Sequence, residues 1–238
     1  MNNIFPICAI FFLLACGNGS SPDKDGWTAN ERRAIQEIEA AYGGVVKVAK
    51  TPSPVSDKQY ARIELSGSQV FTDQIELTGM FASDVAWRFF KNLASEKSGY
   101  EGVEVSVTLH TGEAPAFQYH IPQMERVQAR MPVLDKTVAL LKAADYEGLY
   151  AMLAPERQGE GAKEALVLDC SSLDKNNGRV TDFQFQGFGF FKPANSGKQL
   201  LHLAGILKRE RYDTPLSIFV DPASTDMQGA LQHFNFDY

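Results

Sequence analysis

Two histidines on either side of a short loop are the first residues whose chemistry could make a functional site. His110 and His120 are separated by a loop that contains Glu113 and Pro115. If the flanking strands pair with the histidines opposite each other, the two Cβ atoms lie about 5 Å apart. Zinc takes three protein ligands in a catalytic site and four in a structural one, and Glu113 is the nearest carboxylate. We therefore favour a pair of surface histidines over a metal centre, and we predict neither a metal nor another cofactor.

The possible nucleophiles of the chain lack the surroundings that activate them. Cys170, within residues 166–172, has the setting of a small apolar residue on a buried face. The serines of 66–68 and 171–172 lie outside the Gly-x-Ser-x-Gly turn of serine hydrolases. Residues 187–190, Gly-Phe-Gly-Phe, are not followed by the Lys-Ser/Thr of a phosphate-binding loop. These patterns predict no catalytic residue.

Phenylalanine is concentrated in one stretch of the second half. Phe183 and Phe185 share one strand parity, Phe188 and Phe190 share the other, and the change falls at Gly187. An extra residue there would form a β-bulge. We expect one pair to lie in the core and the other to face a cavity, the rest of the protein or a partner. These four phenylalanines are the candidate ligand or partner surface; the alternative is that all are core and interdomain contact.

The N-terminus reads as a targeting segment. Residues 4–15 are apolar, and residues 17–26 are rich in Gly, Ser, Asn and Asp. The apolar run is shorter than the ~20 residues that span a bilayer as a helix. It matches the apolar region of a secretory signal peptide instead. We predict a signal peptide over residues 1–15 and a flexible tether over residues 16–26.

The end of that run, Leu13-Leu14-Ala15-Cys16, resembles the lipobox of bacterial lipoproteins. The resemblance implies cleavage before Cys16 and a lipid anchor on its sulfur and its new amino group. Gly17 implies, by the same resemblance, the outer membrane facing the periplasm if the source is Gram-negative. One feature departs from the pattern, because residues 1–3 contain no Lys or Arg. The alternative is an ordinary signal peptide in which Cys16 has no role.

Charge and cysteine content narrow the function further. The chain has 23 basic and 29 acidic residues and a net charge of −6. Divided at residue 130, the parts carry 12 basic against 15 acidic and 11 basic against 14 acidic residues. Neither has the basic excess that binding to a phosphate backbone requires, so we predict no nucleic-acid partner. With Cys8 in the signal and Cys16 lipidated, Cys170 has no partner for an intramolecular disulfide.

Hydrophobic periodicity predicts an α+β protein of two modules. Residues 27–130 read as an αββαββ module with a mainly antiparallel sheet, beginning at a capping box from Thr28 to Glu31. Pro122 ends this sheet and Pro132 is suited to start a new helix, so the boundary is placed near residue 130. Residues 131–238 read as helices followed by long antiparallel strands.

The second module resembles nuclear-transport-factor-2-like domains, which form a cone of helices and antiparallel strands. The resemblance lies in residues 140–150, LLKAADYEGLY, and in the Gly-Arg-Val of 178–180 that enters the long strand. That family contains enzymes, binding domains and scaffolds, so it implies no single activity. Its enzymes place carboxylates and a tyrosine inside the cone. The residues available for this in the present chain are Tyr146, Tyr150, Asp169 and Asp182.

We therefore interpret the chain as a lipid-anchored cell-envelope protein that binds or organises a partner without catalysis. Its partners would be the membrane, through the lipid on Cys16, and an envelope protein or a small apolar ligand. The alternative is an enzyme, an isomerase or hydrolase of a small apolar substrate, that uses the cone of the second module.

Overall fold

The computed structural model describes residues 26–193, 197–224 and 229–236. The predicted signal peptide, Cys16 and residues 16–25 of the predicted tether lie outside these ranges. The helices described are α1 Ala29–Tyr42, α2 Gln69–Asp73, α3 Thr78–Asn92, α4 Ile121–Ala143, α5 Tyr146–Met152 and α6 Ala162–Asn177. The strands described are β1 Val45–Pro52, β2 Gln59–Ser66, β3 Tyr100–Thr108, β4 Ala116–His120, β5 Val180–Phe191, β6 Leu200–Arg209, β7 Thr214–Val220 and β8 Leu231–Asn235. Among these residues, no helix combines the length and the apolar composition needed to cross a bilayer.

Helix α1 begins at the predicted capping box. The Glu31 N–H donates to the Thr28 hydroxyl at 3.2 Å, and the Thr28 N–H donates to the Glu31 carboxylate at 2.6 Å. This reciprocal pair satisfies N–H groups that have no partner inside the helix. Ala34, Ile38 and Tyr42 recur every four residues and are buried. The helix therefore turns one apolar stripe to the core.

The first sheet has the strand order β1-β2-β3-β4. The β1–β2 and β3–β4 pairs are antiparallel, whereas β2 and β3 are parallel. Parallel pairing of successive strands needs a crossover, and α3 supplies it. The predicted order of helices and strands is confirmed, with α2 as an additional short helix. Two of its three strand pairs are antiparallel, as expected of a mainly antiparallel sheet, and the parallel central pair makes the sheet mixed.

Helix α4 runs without a break from Ile121 to Ala143. The prediction that the chain restarts as a helix at Pro132 is wrong, because Pro132 lies inside α4 and Pro122 lies at its start. A proline in the first turn of a helix removes no hydrogen bond, because the backbone N–H groups there have no partner inside the helix. A proline in the interior removes one backbone hydrogen bond, and packing of the helix against its neighbours can outweigh that loss. The boundary placed near residue 130 therefore falls within a helix. Separate folding of residues 131–238 stays a prediction.

The second sheet is antiparallel throughout, in the order β5-β6-β7-β8, as predicted. Its first strand contains the predicted bulge, since the register shifts between Phe185 and Gly187. Across the shift, Phe183, Phe185, Phe188 and Phe190 pair with Leu207, Gly205, Leu203 and Leu201, which are alternate residues of β6. Alternate residues of a strand lie on one face of the sheet, and residues paired with them across the strands lie on the same face. The expectation that the two phenylalanine pairs face opposite sides is thus wrong, because the bulge takes up the extra residue and restores one face.

Candidate functional site

A cleft of about 640 Å³ lies between α6 and β8. This is within the ~300–1,000 Å³ typical of small-molecule sites. Large apolar side chains from these two elements and from the segments beside them line it, among them Leu153, Leu166, Leu173, Phe234 and Phe236. Polar groups lie among them, including Arg157, Asp169, Ser172, Gln232 and His233. The cleft is thus an apolar trough with a few polar groups, which is the usual composition of a ligand pocket.

The two walls of this cleft come from distant parts of the chain. On α6, Leu166, Cys170 and Leu173 recur at three or four residues, so one helix face is turned to the cleft. The opposite wall, β8, is fixed on both sides. It pairs with β7, and the end of α5 reaches its other edge, where the Ala154 N–H donates to the Leu231 carbonyl at 2.8 Å.

A second cleft of about 430 Å³ adjoins the first around β8. Its described lining residues are Arg157, Phe191, Pro193, Lys198, Leu200, Phe219, Gln232 and His233. Arg157, Gln232 and His233 line both clefts, so the two clefts meet at these residues. The junction brings the turn after α5 beside the last strand.

The guanidinium of Arg157 is available at this junction. It is exposed, and it forms no hydrogen bond or ion pair within the described part of the chain. Partial burial and the positive charge of the nearby Arg157 both lower the pKa of the His233 imidazole. His233 is therefore neutral at pH 7, and Arg157 is the cation that a ligand would meet.

The thiol in the first cleft is not a nucleophile. Cys170 is 2% exposed. Burial, with the negative charges of Asp174 and Asp169, raises the pKa of the Cys170 thiol to about 12. Since the thiolate is the reactive form, Cys170 stays unreactive near neutral pH. The prediction of a buried, small apolar role is confirmed.

An imidazole–hydroxyl contact lies near the second cleft. His202 Nε2 is 2.9 Å from Ser217 Oγ, and the His202 ring stacks on Phe219 at 4.6 Å between centroids. His233, the neighbour of Phe219 on the next strand, stacks on the same phenyl ring at 5.8 Å between centroids. Ser217 is 1% exposed, which closes its hydroxyl to a substrate. We interpret the pair as a structural hydrogen bond.

Three of the four phenylalanines of β5 contact residues of the first half. Phe185 packs edge-on against Trp87 of α3 at 6.4 Å, and Phe188 against Tyr119 of β4 at 5.6 Å. Phe188 is 4% exposed. The Arg126 guanidinium of α4 lies 5.1 Å from the Phe190 ring centroid, while Phe183 packs against the core and crosses over Gly205. None of the four lines either of the two clefts, and their role as a ligand or partner surface stays a prediction.

Of the four residues that the family resemblance offered for a cone, the first cleft includes Asp169. The others have partners elsewhere: the Tyr146 hydroxyl donates to Asp174, the Tyr150 hydroxyl donates to the Gly159 carbonyl, and Asp182 forms an exposed ion pair with Lys142. The structure therefore does not bring these four residues together.

The two histidines considered for a metal site are also apart. His120 pairs with Gly102, at the far end of β4 from the loop. His110 lies in the turn itself, where the Leu109 N–H donates to the Glu113 carbonyl. His110 and His120, considered as a possible pair, are therefore not opposite each other, because the hairpin turns over residues 109–113 rather than at Pro115. Within residues 26–193, 197–224 and 229–236, no three His, Cys, Asp or Glu side chains form a group that could hold a metal ion.

No protein-family model, curated protein or solved structure matches the chain. The resemblance of the second half to the nuclear-transport-factor-2-like cone is accordingly not confirmed by comparison.

Proposed function

We propose that this protein is a lipid-anchored component of the cell envelope that binds a small apolar ligand without transforming it. The observation that carries the proposal is the cleft between α6 and β8, with its volume of about 640 Å³. Its leucine and phenylalanine walls favour an apolar occupant, because covering such surface removes it from water. The envelope location rests on the lipobox-like sequence that ends at Cys16.

Binding is favoured over catalysis by the state of the cleft's reactive groups. The Cys170 thiol is protonated, and Asp169 and Ser172 are exposed at the cleft. A catalytic carboxylate or hydroxyl is normally activated by burial or by a partnered base. The polar groups of this cleft are placed to orient a ligand at the rim.

We also propose that the second half is a nuclear-transport-factor-2-like cone and that the first cleft is its open end. The proposal is supported by the succession of α4, α5 and α6 followed by an antiparallel sheet with a bulge in its first strand. The lining of the cleft by the last helix and the last strand agrees with an opening between these two layers.

The anchor is tested with the two cysteines of the N-terminal segment. Cys16→Ser should abolish incorporation of labelled palmitate and move the protein to the soluble fraction after a high-salt wash. Cys8→Ser is the matched control, since it removes a thiol inside the predicted signal, and it should stay labelled and membrane-bound. A Cys16→Ser protein that remains in the membrane fraction would contradict the anchor.

The cleft is tested with a neutral apolar dye, Nile red, whose fluorescence rises when it leaves water. The protein used is residues 16–238 with Cys16→Ser, which retains every described residue. Saturable dye binding is expected. Ala165→Trp should abolish it, because Ala165 lines the cleft on an exposed turn of α6 and the indole would fill the space.

Ala129→Trp is the control for this experiment. Ala129 is likewise an exposed helical alanine, but it lies on α4 and does not line the cleft. Its dye affinity should equal that of the parent. Undiminished binding by Ala165→Trp would place the dye elsewhere and overturn the proposed site.

A further inference from the structure

We propose that the ligand is a single-chain amphiphile with an anionic headgroup, which Arg157 binds where the two clefts meet. This inference rests on the proposed ligand-binding function and names its ligand class. The shared chemistry of the headgroup is a carboxylate or a phosphate at one end of an aliphatic chain.

The first argument is the charge at the junction. Arg157 lines both clefts, and its guanidinium has no ion pair or hydrogen bond within the described residues. Lys198 adds a second cationic side chain to the second cleft, whose described lining residues include no carboxylate. The whole chain carries a net charge of −6, so the positive charge at this junction is opposite in sign to the net charge of the protein. A guanidinium can donate two parallel hydrogen bonds to two oxygens of a carboxylate or of a phosphate.

The second argument is the availability of neutral donors beside Arg157. Neither ring nitrogen of His233 has a hydrogen-bond partner among the described residues, and its ring is held against Phe219 at 5.8 Å. The Gln232 amide donates to the Gly229 carbonyl at 3.2 Å, which fixes its side chain beside the junction. An anion at Arg157 would thus meet a positioned imidazole N–H as well as the guanidinium.

The third argument is the division between the polar junction and its apolar surroundings. The first cleft offers Leu166, Leu173, Phe234 and Phe236 to an aliphatic chain. Its one carboxylate among the described lining residues, Asp169, lies on α6 rather than at the shared wall and disfavours an anion on the α6 side of this cleft. The headgroup therefore belongs at Arg157 and the chain in the trough between α6 and β8.

The test compares three ligands of equal chain length by displacement of Nile red from residues 16–238 with Cys16→Ser. The probes are decanoate, decyl phosphate and uncharged glycerol monodecanoate, each below its micelle concentration. We expect at least one anion to bind about tenfold more tightly than the neutral ester, a difference of about 1.4 kcal/mol. The anion that is preferred identifies the headgroup as carboxylate or phosphate.

Arg157→Gln should remove this preference by weakening anion binding about tenfold while leaving the neutral ester unchanged. Arg157 is exposed, so the variant should keep the parent's melting temperature. Arg33→Gln is the matched control, because Arg33 is an exposed arginine of α1 that lines neither cleft. Asp169→Asn should bind the anions at least as tightly as the parent.

Equal affinity for the anions and the neutral ester would overturn the inference, as would full anion affinity in Arg157→Gln. In both cases dye and ester binding would leave the proposed binding function standing. Failure of Nile red and all three probes to bind would instead overturn the proposed function itself. The two failures are therefore distinguishable.

Discussion

The backbone N–H of Phe188 donates a 2.7 Å hydrogen bond to the hydroxyl of Ser83, a fully buried residue of α3. The Ser83 hydroxyl in turn donates to the Met80 carbonyl at 2.6 Å. Phe188 lies on β5, the edge strand of the second sheet, so its outward N–H has no strand partner. The serine satisfies that buried donor and joins the bulged strand to the helix of the first half. The two halves are therefore held by directed polar contacts as well as by apolar ones.

The bulge at Gly187 should be the position least tolerant of a methyl group. Gly187 has a φ of +145°, and a Cβ there would lie 2.1 Å from the Met80 carbonyl oxygen. Gly187→Ala should lower the free energy of unfolding by about 3 kcal/mol through backbone strain and overlap with α3. The measurement is urea denaturation followed by circular dichroism.

Gly189→Ala is the matched control two residues along the same strand. No atom lies within 4 Å of a Cβ added there. Its unfolding free energy should stay within about 0.5 kcal/mol of the parent. Equal midpoints for the two alanine variants would show that close packing of β5 on α3 does not determine stability.

Much of the fold could be predicted from local patterns. The capping box at Thr28, the strand alternation and the bulge at Gly187 are all visible within a few residues. The face of the sheet on which the phenylalanines of β5 lie is not visible in the sequence, because a bulge shifts the alternation of side chains and so decides which of them share a face. Only the pairing with β6 reveals this. Likewise, a proline such as Pro132 favours the first turn of a helix, but the packing of α4 against both sheets overrides that local preference.

The candidate site was less predictable for a similar reason. Arg157 follows α5 in a polar turn, and His233 lies in the last strand. The contact between Leu153 and Leu231 brings these segments together, and no local spacing encodes it. The family resemblance indicates Asp169, which does line the cleft, whereas Tyr146, Tyr150 and Asp182 are engaged with other residues.

Truncation of the buried phenylalanine at the contact between the halves tests its predicted role. Phe188 is 4% exposed, so Phe188→Ala should cost about 3–5 kcal/mol of stability from lost burial and the cavity that remains. Phe191→Ala is the control, since Phe191 is 38% exposed, and it should cost about 1 kcal/mol. Thermal melting measures both.

Nile red binding measured below the melting temperature completes this experiment. Phe188 does not line the first cleft, so its removal should leave dye affinity unchanged in the folded protein. Loss of binding with little loss of stability would instead favour the phenylalanine surface of β5 as the recognition site and would count against the cleft.

Asp174 should make stability depend on acid pH. Burial acts to raise its pKa, but hydrogen bonds from Tyr146, Arg209 and Arg179 outweigh burial and hold the pKa below the ordinary 3.8. The charged form therefore stabilises the fold above pH 3.8, and this contribution is lost as pH falls through the lowered pKa. Asp174→Asn leaves Arg209, whose side chain is 1% exposed, without its counter-charge at 2.8 Å.

Asp174→Asn should accordingly destabilise the protein by about 3–5 kcal/mol at pH 7, the typical effect of breaking a buried ion pair. The gap to the parent should narrow as the pH is lowered below 3.8, because the parent carboxylate then becomes protonated. Asp182→Asn is the control: its ion pair with Lys142 is exposed and 3.6 Å long, so removal should change stability by less than about 1 kcal/mol. Denaturant titrations across the acid range give both curves. A gap that is constant with pH would mean that Asp174 acts through shape and hydrogen bonding rather than through its charge.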